Sequence, residues 1–221
     1  MKQYIAILSF LSFSISLIAC KPPEKQENYK LETISDAQIK KENLSTAYFA
    51  SGCFWCVEAV FESVKGVKEA VSGYSGGEKE NPTYREISSG MLKHAEAVKV
   101  IYDPLQVDFQ TLVNVFFGSH DPTTFNRQGP DAGPQYRSIA FYQTAEQKLI
   151  IESIISELTQ KVGYSKKIVT EVTAFDKFWE AEEYHQDYER RNPNVSYVRS
   201  VSVPRLNNFK SKFPELLKDN H

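Results

Sequence analysis

Two hydrophobic periods alternate along this chain between Ala47 and Phe175, and the order of that alternation restricts the fold more than length or composition does. Alternating or β-branched runs read as strands, and apolar residues three and four apart read as one face of a helix. Residues 47–50 form a short strand. From Cys53, the apolar set Val57, Val60, Phe61 and Val64 keeps helical spacing, with Glu58, Glu62 and Lys65 on the other face and Gly66 as the stop. Residues 67–74 read as a strand closed by Gly76-Gly77, and residues 94–102 as a strand ended by Asp103-Pro104. Asp108 caps a helix carrying Phe109, Leu112, Val113, Phe116 and Phe117 on one side. A strand follows at 138–142. Thr144 and Gln147 then form a capping box that opens a helix to about Val162, ended by Gly163, and residues 168–175 are a last strand. The order β-α-β-β-α-β-α-β predicts an α+β fold, a mixed or antiparallel sheet with helices packed on one face, near the ferredoxin-like α/β sandwich.

The N-terminus reads as an address. Residues 1–19 carry one lysine, Lys2, and an apolar run interrupted only by serines, a signal-peptide pattern that is short for a span of about 20 apolar residues. The run ends in Leu17-Ile18-Ala19-Cys20, which resembles a bacterial lipobox, so Cys20 is expected to be the lipidated first residue after cleavage. An uncleaved anchor and a plain secretory signal are the alternatives. Residues 20–46 hold Pro22-Pro23 and many charges, too little apolar surface to offset ordering entropy, and read as a tether with a marginal helix at 36–43. Residues 47–221 are then one folded domain, expected to be a monomer. The chain has a formal net charge of −2, which offers no footprint for a nucleic acid.

With Cys20 acylated, Cys53 and Cys56 are the only free thiols. They stand where a strand pattern passes into a helix pattern. A helix N-terminus offers unpaired N–H groups and a positive dipole end, both of which favour thiolate. Two buried core cysteines would be the bland account of the same residues. A zinc site fits poorly, since His94, His120, His185 and His221 lack finger spacing. Glu96 shares parity with Val98, Val100 and Tyr102, which puts a carboxyl on the inward face, where burial raises its pKa and keeps it a proton donor; a solvated strand end is the alternative. Residues 119–137, rich in Gly and Pro, are a long connection of the kind that often carries function, or else a surface loop. Phe54, Trp55, Tyr84 and Tyr136 are core aromatics singly, or together the lining of a cleft for a small apolar group bearing one oxygen.

The ordered set of motifs resembles the peptide methionine sulfoxide reductase A family. It comprises Gly52-Cys-Phe-Trp-Cys-Val-Glu58, Ser72-Gly-Tyr-Ser-Gly-Gly77, Asn81-Pro-Thr-Tyr-Arg-Glu86, His94-Ala-Glu-Ala-Val98, His120-Asp-Pro122, Arg127-Gln-Gly129, Gln135-Tyr-Arg-Ser138 and Ala181-Glu-Glu-Tyr-His-Gln-Asp-Tyr188. The resemblance implies that residues 47–221 are a catalytic domain. Cys53 is then the nucleophile that attacks the sulfoxide sulfur, Glu96 the acid that protonates its oxygen, and Tyr84 and Tyr136 donors to that oxygen. Phe54 and Trp55 would receive the methyl group, and Asp131 would stand on the substrate side. It further implies the S epimer, a Cys53 sulfenic acid, a Cys53–Cys56 disulfide, and recycling by thioredoxin or a similar dithiol protein, with no metal or organic cofactor. Many relatives carry Gly in place of Cys56 and recycle through C-terminal cysteines; none follows Cys56 here. The expected substrate is methionine sulfoxide, free or in oxidised proteins, met at the bacterial cell envelope through the lipid anchor. A lipid-anchored thioredoxin-like oxidoreductase and an envelope binding lipoprotein with a structural disulfide are the rivals.

Overall fold

The structure, a computed structural model, describes residues 33–160 and 166–219. The signal peptide, Cys20, most of the tether and the helix stop at Gly163 lie outside the described residues. The described residues form eight strands: β1 (Ser45–Ser51), β2 (Val67–Ser75), β3 (Ala95–Tyr102), β4 (Arg127–Gln128), β5 (Asp131–Ala132), β6 (Ser138–Tyr142), β7 (Glu171–Ala174) and β8 (Phe178–Glu180). The helices are α1 (Asp36–Lys41), α2 (Phe54–Glu62), α3 (Tyr84–Ser88), α4 (Phe109–Gly118), α5 (Ala145–Gln160), α6 (Tyr188–Arg191) and α7 (Val203–Lys212).

The main sheet has the order β7-β6-β1-β3-β2-β8. Its centre, β6-β1-β3-β2, is antiparallel at every pairing, with α2 joining β1 to β2 and α4 lying between β3 and β6. That is the expected ferredoxin-like plan. β7 adds in parallel to β6 and β8 antiparallel to β2. These two outer strands occupy opposite edges, yet only residues 175–177 separate them in the chain. Four residue steps reach at most about 14 Å, whereas five flat strand spacings cover about 24 Å. The sheet must therefore curl until its edges approach, and at the β2 edge the Ser75 hydroxyl donates to the Lys177 carbonyl, just ahead of β8, at 2.7 Å.

Alternation along the strands separates two buried faces. Phe49, Val98 and Val100 face the helices, where Phe49 stacks on Phe61 at 5.1 Å and Phe116 at 5.2 Å. Tyr48, Ala50, Ala97 and Ile139 face the other way and are covered by Phe175 and Phe178 rather than by a helix, with Tyr48 stacked on Phe175 at 3.7 Å. The helices do lie on one face, as expected, but the curl buries the second face as well.

Several local expectations are corrected. β1 begins at Ser45, because Ser45 and Thr46 pair with Tyr102 and Ile101. The last part of the tether is held to the domain: Ser35 caps α1, and the Ile34 amide donates to Glu69 at 2.6 Å. α2 ends at Glu62 rather than at Gly66, because Val64 leaves the helix to bridge Leu217. Glu58 is buried, not solvated, since the C-terminal segment covers the second side of α2: it accepts from the Ser72 hydroxyl and the Asp187 amide. Residues 119–137 are not structureless; they contain the β4–β5 ribbon and a 3₁₀ turn at Pro134–Tyr136. The segment after Arg199, for which the sequence offers no motif, is part of the core: α7 packs on α2 with Phe209 fully buried.

Candidate active site

β1 delivers the chain to Gly52, whose φ of +91° turns it into α2. A Cβ there would stand 2.6 Å from the Gln128 Cβ, so the turn is closed to any larger residue. Cys53 thereby becomes the N-cap of α2, with its carbonyl accepting from Cys56 and Val57 at 3.2 and 3.3 Å. The helical turn brings the two thiols into a hydrogen bond, and the Cys56 sulfur also lies 3.9 Å from the Tyr197 hydroxyl.

The protonation of this pair differs from the sequence expectation. The amide of Phe54, the first donor of α2, is taken by Glu96 Oε2 at 3.0 Å, so it does not serve the Cys53 sulfur. Burial pushes the Cys53 thiol well above its ordinary value, and the Cys56 hydrogen bond and the Glu96 carboxylate push the same way. Cys56 is lowered to about 6 by its hydrogen bond to Cys53, helped by the Arg205 charge and by Ser202 and Tyr197. Burial thus favours the protonated form of Cys53, while the hydrogen bond and the Arg205 charge favour the thiolate at Cys56.

Glu96 lies where its parity placed it. It pairs with Tyr74 on the helix-facing side of β3, is 1 % exposed, and is raised to about 8, chiefly by burial. Asp131 and Cys56 raise it further and the Phe54 amide opposes them, so at neutral pH Glu96 is a carboxylic acid with a proton to give. Tyr84 opens α3, where a Thr83–Glu86 capping box and a 3.0 Å bond from its amide to Glu182 fix it. Burial, then Glu96 and Cys53, raises its hydroxyl to about 12. Tyr136 sits in the 3₁₀ turn and is raised by burial, then by Glu96, Tyr84 and Cys53. Both phenols thus stay protonated donors around the Cys53–Glu96 pair. Asp131, on β5, accepts from the Tyr197 hydroxyl at 2.6 Å.

Of the two aromatics after Cys53, Phe54 is buried against Tyr74, Tyr84 and His185, at 5.8, 6.4 and 5.0 Å between ring centroids. Trp55 is half-buried, stacked on Tyr188 at 3.7 Å and edge-on to Tyr197, and its indole N–H donates to His185 Nδ1 at 3.2 Å. All eight residues expected at the site are thus gathered around the N-terminus of α2. His185, Tyr188, Tyr197 and Arg205 join them without having been assigned roles. The first two lie in the 181–188 motif, which marked the segment but not its contacts; the last two carry no local signal. Beneath α2, oxygens of Glu58, Glu62 and Asp187 lie within 4.8 Å of one another. Bonds from Ser72 and the Asp187 amide to Glu58, and the Arg190–Asp187 ion pair at 2.6 Å, account for this cluster as a packing network.

An acid held neutral beside two coupled thiols, in a ring of phenols, defines a thiol-dependent oxidoreductase on an α+β scaffold. Residues 45–217 match the family described as peptide methionine sulfoxide reductase. The chain is 46% identical over 172 residues to the peptide methionine sulfoxide reductase MsrA of Haloquadratum walsbyi, covering 78% of this chain and 98% of that one. It is 40% identical over 215 residues to MsrA 2 of Synechocystis, covering 97% of each. Among solved structures, reduced Mxr1 of Saccharomyces cerevisiae superposes with a TM-score of 0.63 at 32% identity, over 69% of this chain and 87% of that one. Methionine sulfoxide reductase A of Corynebacterium diphtheriae does so at 0.63 and 35%, over 69% and 76%. The chain belongs to the peptide methionine sulfoxide reductase family.

Proposed function

We propose that this protein reduces the S epimer of methionine sulfoxide, free and in oxidised proteins, and so repairs oxidatively damaged proteins. The observation that carries this reading is Glu96, a buried neutral acid bonded to the amide that follows Cys53. A sulfoxide oxygen leaves only when protonated, and a carboxylic acid aimed at it supplies the proton. The Cys53 sulfur attacks the sulfoxide sulfur, Glu96 protonates the oxygen, and Tyr84 and Tyr136 donate hydrogen bonds to it. Methionine departs, Cys53 becomes the sulfenic acid, and the Cys53 proton restores Glu96. Phe54 and Trp55 receive the methyl group, and Asp131 stands on the substrate side. Cys56 attacks the sulfenic sulfur, water leaves, and a Cys53–Cys56 disulfide forms. Thioredoxin or a similar dithiol protein returns both sulfurs to thiols and takes up the disulfide. No metal or organic cofactor enters these steps.

The enzyme acts as a monomer tethered to the envelope through lipidated Cys20. Two sequence features support the tether, though neither bears on the oligomeric state: the Leu17–Cys20 pattern, and the stretch before the family match at residue 45. Among the described residues no helix is long and apolar enough to cross a membrane.

The test of the reaction is incubation with the separated S and R epimers of a blocked methionine sulfoxide and dithiothreitol, beside Cys53→Ser. Reduction of the S epimer alone, lost in the variant, supports the reading. No reduction, with the thiol pair still exchanging with protein disulfides, moves it to a thioredoxin-like activity. Mass spectrometry of membrane-purified protein tests the anchor: an acylated Cys20 is expected, and an unmodified peptide spanning Ala19–Cys20 refutes it.

A further inference from the structure

Arg205 is a half-buried cation on α7, and the bonds it makes end on neutral oxygens. Its Nε donates to the Ser119 carbonyl at 2.8 Å, one terminal nitrogen to the Ser51 carbonyl at 2.9 Å, and the other to the Ser51 hydroxyl at 3.1 Å. The planar fork is thus fixed under the turn that presents Cys53, where a Cβ on Gly52 would meet one guanidinium nitrogen at 3.5 Å. On its open side it lines a cavity of about 510 Å³ together with Cys56 and Asp131. Asp131 spends its side chain on Tyr197. A guanidinium with only neutral partners keeps its field for whatever anion forms beside it.

We propose that Arg205 is a positioning residue for the second half of the reaction, holding Cys56 as the thiolate that attacks the sulfenic sulfur of Cys53. This rests on the sulfenic acid and disulfide sequence proposed above. In the step itself a sulfur–sulfur bond forms, the sulfur–oxygen bond of Cys53 breaks, and the hydroxyl leaves as water by taking up the one proton that Cys56 released on becoming the thiolate. Cys56 is oxidised and the sulfenic sulfur reduced, so no outside reagent is needed. The other groups facing Cys56 or lining its cavity are Cys53 on its own helix, Glu96 on β3, Asp131 on β5, Tyr197 ahead of α7, Lys212 at the far end of α7, and, just after α4, His120, which burial holds neutral, and Asp121, whose charge opposes a thiolate. Glu96 is neutral, Tyr197 is a hydroxyl, Asp131 opposes a thiolate, and Lys212 is exposed and screened. Arg205 is the cation anchored in place, and its charge acts on Cys56 in the direction of thiolate.

The test uses the full-length reduced chain, mixed with one equivalent of the S epimer of a blocked methionine sulfoxide without dithiol, and quenched across pH 5 to pH 8.5. Methionine formed reports the first step. The Cys53–Cys56 peptide disulfide, identified by mass spectrometry after alkylation, reports the second. In the parent chain the disulfide step is expected to rise through a midpoint near 6. Arg205→Gln, which removes the charge and keeps only part of the bracing, should move that midpoint up by about one pH unit and slow the step about fivefold at pH 6. Arg205→Lys should restore the midpoint, whereas any slowing of the methionine burst from the lost Ser51–Ser119 brace should appear in both variants, because neither side chain spans the two. An unchanged midpoint in Arg205→Gln overturns the proposal even if both steps slow, since that is the mark of a lost brace alone. Methionine without any disulfide in the parent chain overturns Cys56 as the resolving thiol and this proposal with it; no methionine at all overturns the reductase reading.

Discussion

Replacing Glu96 by Gln should make the protein more stable and much slower, and both effects follow from one buried proton. Gln keeps the shape: its carbonyl oxygen accepts from the Phe54 amide as Glu96 Oε2 does at 3.0 Å. It donates a hydrogen bond to a sulfoxide oxygen but gives up no proton, so methionine formation should slow about 10²- to 10⁴-fold, or roughly 3–5 kcal/mol of barrier. For stability, Glu96 moves from 4.5 to about 8 on folding, with burial as the first cause. Between those values the folded state binds a proton that the unfolded state has released, so stability falls as pH rises and is greatest below 4.5. At pH 7 the accumulated cost is on the order of 3 kcal/mol, which Glu96→Gln removes. The assay pairs quenched single turnover with urea unfolding from pH 5 to pH 8. A stability gain that grows with pH, beside a large loss of rate, is expected. In the parent chain the methionine burst should also decline above about pH 8 as the acid ionises. A Glu96→Gln burst within fivefold of the parent, or a pH-independent gain, would refute a neutral catalytic acid at this position.

Three other perturbations probe separate parts of the molecule. Cys56→Ser should still release one methionine per enzyme and leave a dimedone-reactive Cys53, but stall with thioredoxin; normal cycling would exclude Cys56 as the resolving thiol. Phe209→Ala empties a fully buried site between α7 and the core, and should cost about 3–5 kcal/mol and roughly 10 °C in Tm; a loss under about 1 kcal/mol by urea denaturation would mean that α7 is not part of the cooperative fold. Gly73→Ala places a Cβ 2.3 Å from the Phe178 ring and 2.4 Å from the Trp179 carbonyl, so β8 must shift. It should cost about 1–3 kcal/mol, and an unshifted Tm would show that the sheet edge yields freely.

Legibility in the sequence followed the range of the interactions. The Asp108 cap, which accepts from the Thr111 amide at 2.7 Å, and the parity of Glu96 on β3 depend on neighbours a few residues away. Short-range pattern sufficed for both, and for the β6-β1-β3-β2 centre that such elements generate. The errors arose where distant segments meet. Glu58 has the spacing of a solvent-facing helix position, but residues from 181 onward cover it. The curl of the sheet depends on β7 and β8 taking opposite edges, which neither strand encodes by itself. At the site, residue types and motif order indicated which side chains gather at the N-terminus of α2, whereas the charge on each thiol did not follow from them. Helix-end reasoning places the anion on Cys53, and it is correct only if the Phe54 amide is free.

That amide decides how the site divides its labour. One backbone donor cannot serve both the Cys53 sulfur and the Glu96 carboxyl, and the fold assigns it to Glu96 by pairing β3 with β2 directly beneath α2. Deprived of it and buried, Cys53 is pushed toward the thiol, while Cys56, one helical turn along and on the side where α7 brings Arg205, is pushed toward the thiolate. A proton-rich side and an anion-stabilising side thus flank a single turn of α2. The chemistry needs that polarity, because the first step delivers a proton to an oxygen and the second consumes a thiolate. With Gly at position 56 the anion-stabilising side would have no sulfur to act on, and any resolving cysteine would have to approach from elsewhere. In this chain the two sulfurs lie one helical turn apart, so the proposed disulfide needs no cysteine from the C-terminal segment, which instead packs Phe209 into the core.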